Sequence, residues 1–184
     1  MARLTGAAIR EQIDLGNIVI DPFVHENVTE TGVDLRLGTQ VAQYTPDVVL
    51  DPKKPGTFEG WVATMSEEHG FRIEPGKFYL MHTMERVMAK NFDPIVNGKS
   101  SVGRCSVQVH MTAGFGEPGF DGQYTLEVTT QIPMIVYPGM LFCQIRFDTL
   151  EGKVSDYKKR GNYTGVNASG PVFSKIWKQY VKEQ

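Results

Sequence analysis

Tyr137-Pro138-Gly139-Met140-Leu141-Phe142-Cys143-Gln144-Ile145-Arg146-Phe147 reads as a tight turn that feeds a strand. Proline presets the first corner of the turn and glycine takes the second without steric cost. Beyond the turn, Cys143, Ile145 and Phe147 fall on one face, and Phe142, Gln144 and Arg146 on the other. That is a period of two, the signature of a strand. The same grammar recurs on either side. Glu74-Pro75-Gly76-Lys77 is a type II turn before Phe78-Tyr79-Leu80-Met81. Val33 to Leu37, Val41 to Tyr44, Val107 to Met111 and Tyr124 to Val128 alternate in the same way, and Ile18-Val19-Ile20 is a short strand ended by Asp21-Pro22. The 19 glycines and 10 prolines punctuate the whole chain and leave no gap that would hold several helices. Many short strands joined by Pro-Gly turns predict a mainly β, antiparallel sandwich or barrel.

Helices are expected only at the ends. Thr5 is placed to cap a helix over Gly6 to Leu15, with Ile9, Ile13 and Ala8 on one face and Gly16 at the left-handed C-terminal position. Phe173, Ile176, Trp177, Tyr180 and Val181 follow helical spacing and predict an amphipathic C-terminal helix within residues 172–184. The stretch 45–70 carries Pro46, Pro52, Pro55 and Gly56 and reads as an irregular surface excursion.

A length of 184 residues suits one domain with a sizeable core. The formal net charge of -2 excludes a broad nucleic-acid surface. No apolar run is long enough for a membrane span, and the N-terminus lacks the apolar region of a secretory signal. Cys105 and Cys143 stand far apart with no CxxC partner, which fits a reduced, cytoplasmic setting. His25, His69, His82 and His110 form no HxxxH or HExxH pattern. The HxE…PCxxC pattern of zinc deaminases and the GxSxG elbow are likewise missing from the sequence.

Three features carry polar chemistry. Asn97-Gly98-Lys99-Ser100-Ser101-Val102-Gly103-Arg104 gathers small residues, two hydroxyls and two cations, as a phosphate chain requires; it is equally the composition of a polar turn between strands. Gly116-Glu117-Pro118-Gly119-Phe120-Asp121-Gly122 sets a carboxylate before a tight turn and an aromatic ring after it. Glu127 lies mid-strand, sharing a face with Thr125 and opposite Tyr124, Leu126 and Val128. It is either on a solvated face or a partly buried acid.

Together these residues resemble the dCTP deaminase family of the trimeric dUTPase-like superfamily. The resemblance rests on Gly98-Lys99-Ser100-Ser101-Val102-Gly103-Arg104, on Val109 to Phe120, and on Gly122 with Thr125-Leu126-Glu127. Thr31 to Gly38, Pro75 to Leu80 and Tyr137 to Gln144 extend it along nearly the whole chain. It implies a distorted antiparallel β-barrel of jelly-roll type, assembled as a homotrimer with interfacial active sites. It also implies deamination of dCTP without zinc, with Mg2+ accompanying the triphosphate and dTTP as a candidate inhibitor. By the resemblance, Glu127 activates the attacking water, Arg104 supports the developing charge beside it, and Ser100 positions the water. Lys99, Ser101, Val102 and Gly103 join the phosphate-binding string. Ala113, Thr125, Leu126 and Gln144 belong to the substrate-binding set, Glu117 meets the 3′-hydroxyl and Phe120 packs on the sugar.

Gly114-Phe115 and the GKSSxGR form resemble the bifunctional branch, which carries dCTP through dUTP to dUMP and diphosphate. The implied lid covers residues 156–171, with Tyr157, Asn162 and Val166 toward the nucleotide. Two departures stand out. Glu117 replaces the usual aspartate, and Asn162-Tyr163-Thr164-Gly165-Val166 lacks the lysine and glutamine of the family's lid. Asn167 and the cations Lys158, Lys159 and Arg160 are the nearby substitutes. The alternatives are a dUTP diphosphatase without deaminase activity and a non-catalytic nucleotide-binding regulator.

Overall fold

A computed structural model describes residues 2–154, 157, 161, 163 and 170–181. The chain opens with α1 (Gly6–Asp14), where the Thr5 hydroxyl accepts from the Ala8 N–H at 3.3 Å and Gly16 takes φ +67°. Ile9 is its buried contact with the core. Next come β1 (Ile18–Asp21), β2 (Val33–Arg36) and β3 (Gln40–Tyr44). These are followed by β4 (Gly60–Thr64), β5 (Phe71–Ile73), β6 (Tyr79–Ala89) and β7 (Phe92–Gly98). A single turn, α2 (Ser100–Gly103), precedes β8 (Val107–Gln108), β9 (Asp121–Thr130), β10 (Met134–Val136) and β11 (Leu141–Thr149).

Every pairing is antiparallel. The largest sheet runs β4-β3-β6-β9-β8, with β1 also on β6; β2-β11-β7 forms a second sheet and β10-β5 a third. Among the described residues these sheets do not close into the expected barrel. They approach through isolated bridges such as Leu37 with Thr83. Their shared interior is continuous, with Leu35, Leu37, Met81, Val87, Leu126, Phe142, Ile145 and Phe147 buried together. Strand β11 bulges against β2 between Leu141 and Cys143, and Phe142 is buried along with the Cys143-Ile145-Phe147 face. Both cysteines are free, Cys143 in the core and Cys105 at the surface. Burial, with the charges of Glu85 and Asp34, pushes the Cys143 thiol far up. No described helix is long and apolar enough to cross a membrane.

Three further expectations need correction. The stretch 45–70 is not wholly irregular, because it contains the edge strand β4, paired with β3 from Gln40 to Tyr44. All five β4 residues are exposed, so no alternation marks the strand. Strand β8 covers only Val107 and Gln108, and the predicted strand beyond it is diverted. There the Val109 carbonyl and the Met111 N–H bond to Glu127. The helix predicted over Phe173–Val181 is one 3-10 turn at Ile176–Gln179. Ahead of it, the Gly170, Val172 and Ser174 N–H groups donate to Gln123, Thr125 and Tyr44 side chains. Amides that meet acceptors at alternate positions mark 170–174 as non-helical chain, which leaves only a short stretch after it for the single turn.

His82 ties β6 to the start of β3 and gives the fold a pH dependence. It is 3% exposed, its Nδ1 sits 2.9 Å from the Thr83 carbonyl, and its Nε2 accepts the Gln40 N–H at 3.2 Å. The proton is therefore on Nδ1. Burial holds its pKa below the ordinary value, so the folded chain resists the proton that the unfolded chain takes up. Stability is expected to fall as the pH drops below about 6.5, the unfolded value, and to go on falling to the lower folded one. Denaturation midpoints between pH 7.5 and 5.5 check this. His82→Gln should show a shallower slope than the wild type, and equal slopes would refute the assignment.

Candidate active site

Strand β9 builds the site by alternation. Leu126 and Val128 point into the core, at 1% and 0% exposure, while Thr125 and Glu127 face the other way into a cleft. Glu127 Oε2 accepts the Met111 N–H at 2.9 Å, and the Glu127 N–H donates to the Val109 carbonyl at 3.0 Å. The crossing segment thus fixes the carboxylate by one oxygen. The cleft holds about 380 Å³, a volume suited to a small organic ligand.

Aromatic rings line much of it. Phe120 and Tyr124 lie 4.9 Å apart, Tyr157 is 6.3 Å from Phe120, and Tyr44 stacks on Phe78 at 6.4 Å. Burial pushes the Tyr124 phenol far above its ordinary value, and the charge of Asp93 adds to this. Burial also raises Tyr157, with Glu117 adding. Tyr44 is raised by burial against the lowering effect of its bond from the Ser174 N–H. At neutral pH these phenols are neutral hydroxyls.

Glu117 reaches the cleft from its turn, which closes with the Phe120 N–H on the Glu117 carbonyl at 2.9 Å; Gly119 takes φ +87° there. The β-turn and the cleft carboxylate are therefore one feature. Ala113 and Phe115 line the same wall, and Phe115 is 70% exposed. Gly114 lies behind them, packed so closely that a Cβ would come within 2.6 Å of the Val96 carbonyl. Leu126 turns its side chain to the core, so only its backbone is available to the cleft.

The string after β7 lies elsewhere. Val102 anchors α2 in the core, while Ser100, Ser101, Gly103 and Arg104 are exposed. Arg104 folds back to donate to the Ser100 carbonyl at 3.2 Å. Lys99 pairs with Asp34, and Gln144 donates to the same carboxylate at 3.1 Å. None of Lys99, Ser100, Ser101, Val102, Gly103, Arg104 or Gln144 lines the Glu127 cleft. Within one chain, Arg104 is not brought beside Glu127 as the resemblance implied. Asn162 and Val166, with Lys158, Lys159, Arg160 and Asn167, lie outside the described residues.

Tyr44, Phe78, Gln123, Tyr124, Tyr163, Val172 and Ser174 line the cleft without having been picked out in the sequence. Tyr124 falls with Leu126 and Val128 by alternation, and it both packs against the core and lines the cleft. The β6–β9 register shifts between His82 and Arg86, and this irregularity re-aims the residues beside it. Tyr44 holds Phe173 at 5.1 Å and accepts the Ser174 N–H at 3.1 Å. Tyr44→Phe removes that acceptor at a cost of about 1 kcal/mol, so amide exchange at Ser174 should quicken about fivefold. Unchanged exchange would show that the bond does not hold the segment.

A concave, aromatic-lined cleft with a strand carboxylate in its wall defines a pocket for a small molecule, not a macromolecular surface. The family model described as dCTP deaminase-like matches residues 3–150, and the chain belongs to that family. The relatives narrow the likeness. The chain is 37% identical over 179 residues to the Cytophaga hutchinsonii protein named "dCTP deaminase, dUMP-forming", covering 97% of this chain and 99% of the relative. It is 36% identical over 181 residues to a Leptospira biflexa protein of the same name, covering 98% and 99%. These alignments span nearly the whole chain. The crystal structure of 2'-deoxycytidine 5'-triphosphate deaminase from Agrobacterium tumefaciens shares the fold, with a TM-score of 0.64 at 23% identity. The likeness covers 80% of this chain and 48% of that one.

Proposed function

We propose that this protein is a dUMP-forming dCTP deaminase. It replaces the C4 amino group of dCTP by oxygen from water, releasing ammonia, and then hydrolyses the dUTP formed to dUMP and diphosphate. The observation that carries this reading is Glu127, held through one oxygen in the wall of a nucleoside-sized cleft, in a chain matched end to end by relatives of that name. Glu127 takes a proton from water as the water oxygen adds to C4, then passes a proton to the departing nitrogen. The cleft aromatics and Glu117 hold the deoxyribose, and the Thr125-Leu126 backbone meets the base edge.

The separation of Arg104 and Ser100 from Glu127 supports a homotrimer of the dUTPase-like kind, in which the α2 turn of one copy completes the cleft of the next. Closed symmetric assembly allows each surface to be used once per copy. Residues 156–171 serve as the lid. Among the described residues no three His, Cys, Asp or Glu side chains gather as a metal cage. Mg2+ would enter with the nucleotide, where phosphate oxygens and water suit it as ligands.

The test is to incubate the protein and Mg2+ with dCTP and with dUTP separately, following ammonia, dUTP, dUMP and diphosphate. Ammonia, dUMP and diphosphate from dCTP are expected. Accumulating dUTP would remove the second step, diphosphate from dUTP alone would make the protein a diphosphatase, and silence with both would leave a binder.

A further inference from the structure

Asp34 is a buried acid that the chemistry above does not use. It is 6% exposed in β2, on the face that alternation would give to solvent. One carboxylate oxygen pairs with Lys99 Nζ, and the other accepts Gln144 Nε2 at 3.1 Å. Gln144 Nε2 also donates to Thr29 Oγ1 at 3.3 Å, so this amide is held from two sides. The register explains the meeting. Asp34 on β2 lies opposite Gln144 on β11, which lies opposite Asn97 on β7, and Lys99 follows two residues on as the cap of α2. Gly32 permits the approach, because a Cβ there would meet the Ile145 carbonyl at 2.7 Å.

We propose that Asp34 is a positioning residue for the triphosphate subsite, acting through Lys99 and Gln144 without touching the nucleotide. A buried carboxylate that lost its cation would stand uncompensated, which is strongly unfavourable. Lys99 therefore stays on Asp34 when nucleotide binds. It serves as the fixed root of the turn that presents Ser100, Ser101 and Arg104, not as a free phosphate cation. Gln144 is held in the same unit. Asp34 thus sets affinity for the phosphate chain and leaves the base and sugar contacts of the cleft alone.

This rests on the nucleotide reading above, and the experiment separates the two. Dissociation constants for dCTP and for dCMP are measured in the full-length protein carrying Glu127→Gln, which slows turnover enough for binding to be read first. Adding Asp34→Asn is expected to weaken dCTP binding about tenfold while dCMP changes less than about twofold. Asp34→Asn with Lys99→Met leaves no unpaired buried charge and should match Asp34→Asn alone within about twofold, since the two residues act as one unit. It also supplies the measurement if the single variant does not fold. Equal weakening of dCTP and dCMP would reduce Asp34 to a structural role and overturn the proposal. So would a loss in the double variant clearly larger than in Asp34→Asn alone. If the Glu127→Gln parent bound dCTP no tighter than dCMP, the nucleotide-triphosphate reading itself would fall, and this proposal with it.

Discussion

Glu127→Gln is expected to cut ammonia release from dCTP by about 10²- to 10⁴-fold, the usual contribution of a positioned general base. The substitution is nearly isosteric. The amide oxygen can still accept the Met111 N–H that now meets Oε2 at 2.9 Å, so the crossing Val109–Met111 segment keeps its place. What is lost is the basic oxygen that, in the proposed mechanism, takes the proton from water. Binding of dCTP should persist, which separates loss of chemistry from loss of the cleft. Ammonia release at the wild-type rate would remove Glu127 from the mechanism. Loss of binding together with loss of rate would instead mark it as a binding residue.

The second large effect is a rescue. Arg104→Ala alone should depress deamination by about 10²- to 10³-fold, as removal of a group that stabilises developing charge does. If α2 of one copy completes the cleft of another, two inactive proteins can restore each other. Unfolding Glu127→Gln and Arg104→Ala chains together and refolding the mixture places some intact Glu127 clefts against intact Arg104 turns. With random assembly about one site in four carries both groups, so roughly a quarter of the wild-type rate should return. Recovery requires that the two groups come from different chains. No recovery in mixed oligomers would mean that each chain completes its own site, and Arg104 would then have to leave the Ser100 carbonyl it now holds.

Legibility in the sequence followed local periodicity. Strands whose sequence alternates apolar with polar residues were readable, as β2, β9 and β11 show. The edge strand β4 was hidden because it is exposed throughout. Glu127 and Thr125 were placed correctly on the open face of β9 and Tyr124 opposite them, where it packs against the core; that Tyr124 also lines the cleft was hidden, because the β6–β9 register shift beside it leaves no mark on β9 itself. Asp34 was unreadable for a related reason. Its burial depends on Lys99 and Gln144, 65 and 110 positions away. The C-terminal apolar spacing was genuine, yet 170–174 is non-helical chain bonded to Gln123, Thr125 and Tyr44, and the stretch after it forms only one turn. Separation of the Lys99–Arg104 string from the cleft is a property of three-dimensional placement, which no spacing within one chain reveals.

The segment from Gly170 to Ser174 has a consequence for the order in which the protein is made. Strands β3 and β6 share one directly opposed pair, Ala42 with Leu80, whereas β6 and β9 share seven. The C-terminal amides reach Tyr44 on β3 and Gln123 and Thr125 on β9, so they stitch across that sparse seam from outside. During synthesis the sheets can pair as they leave the ribosome, since chains begin folding from the N-terminal side. The stitch must wait for residue 174. A nascent chain halted before that point therefore carries a nearly complete sheet whose β3–β6 seam lacks this fastening.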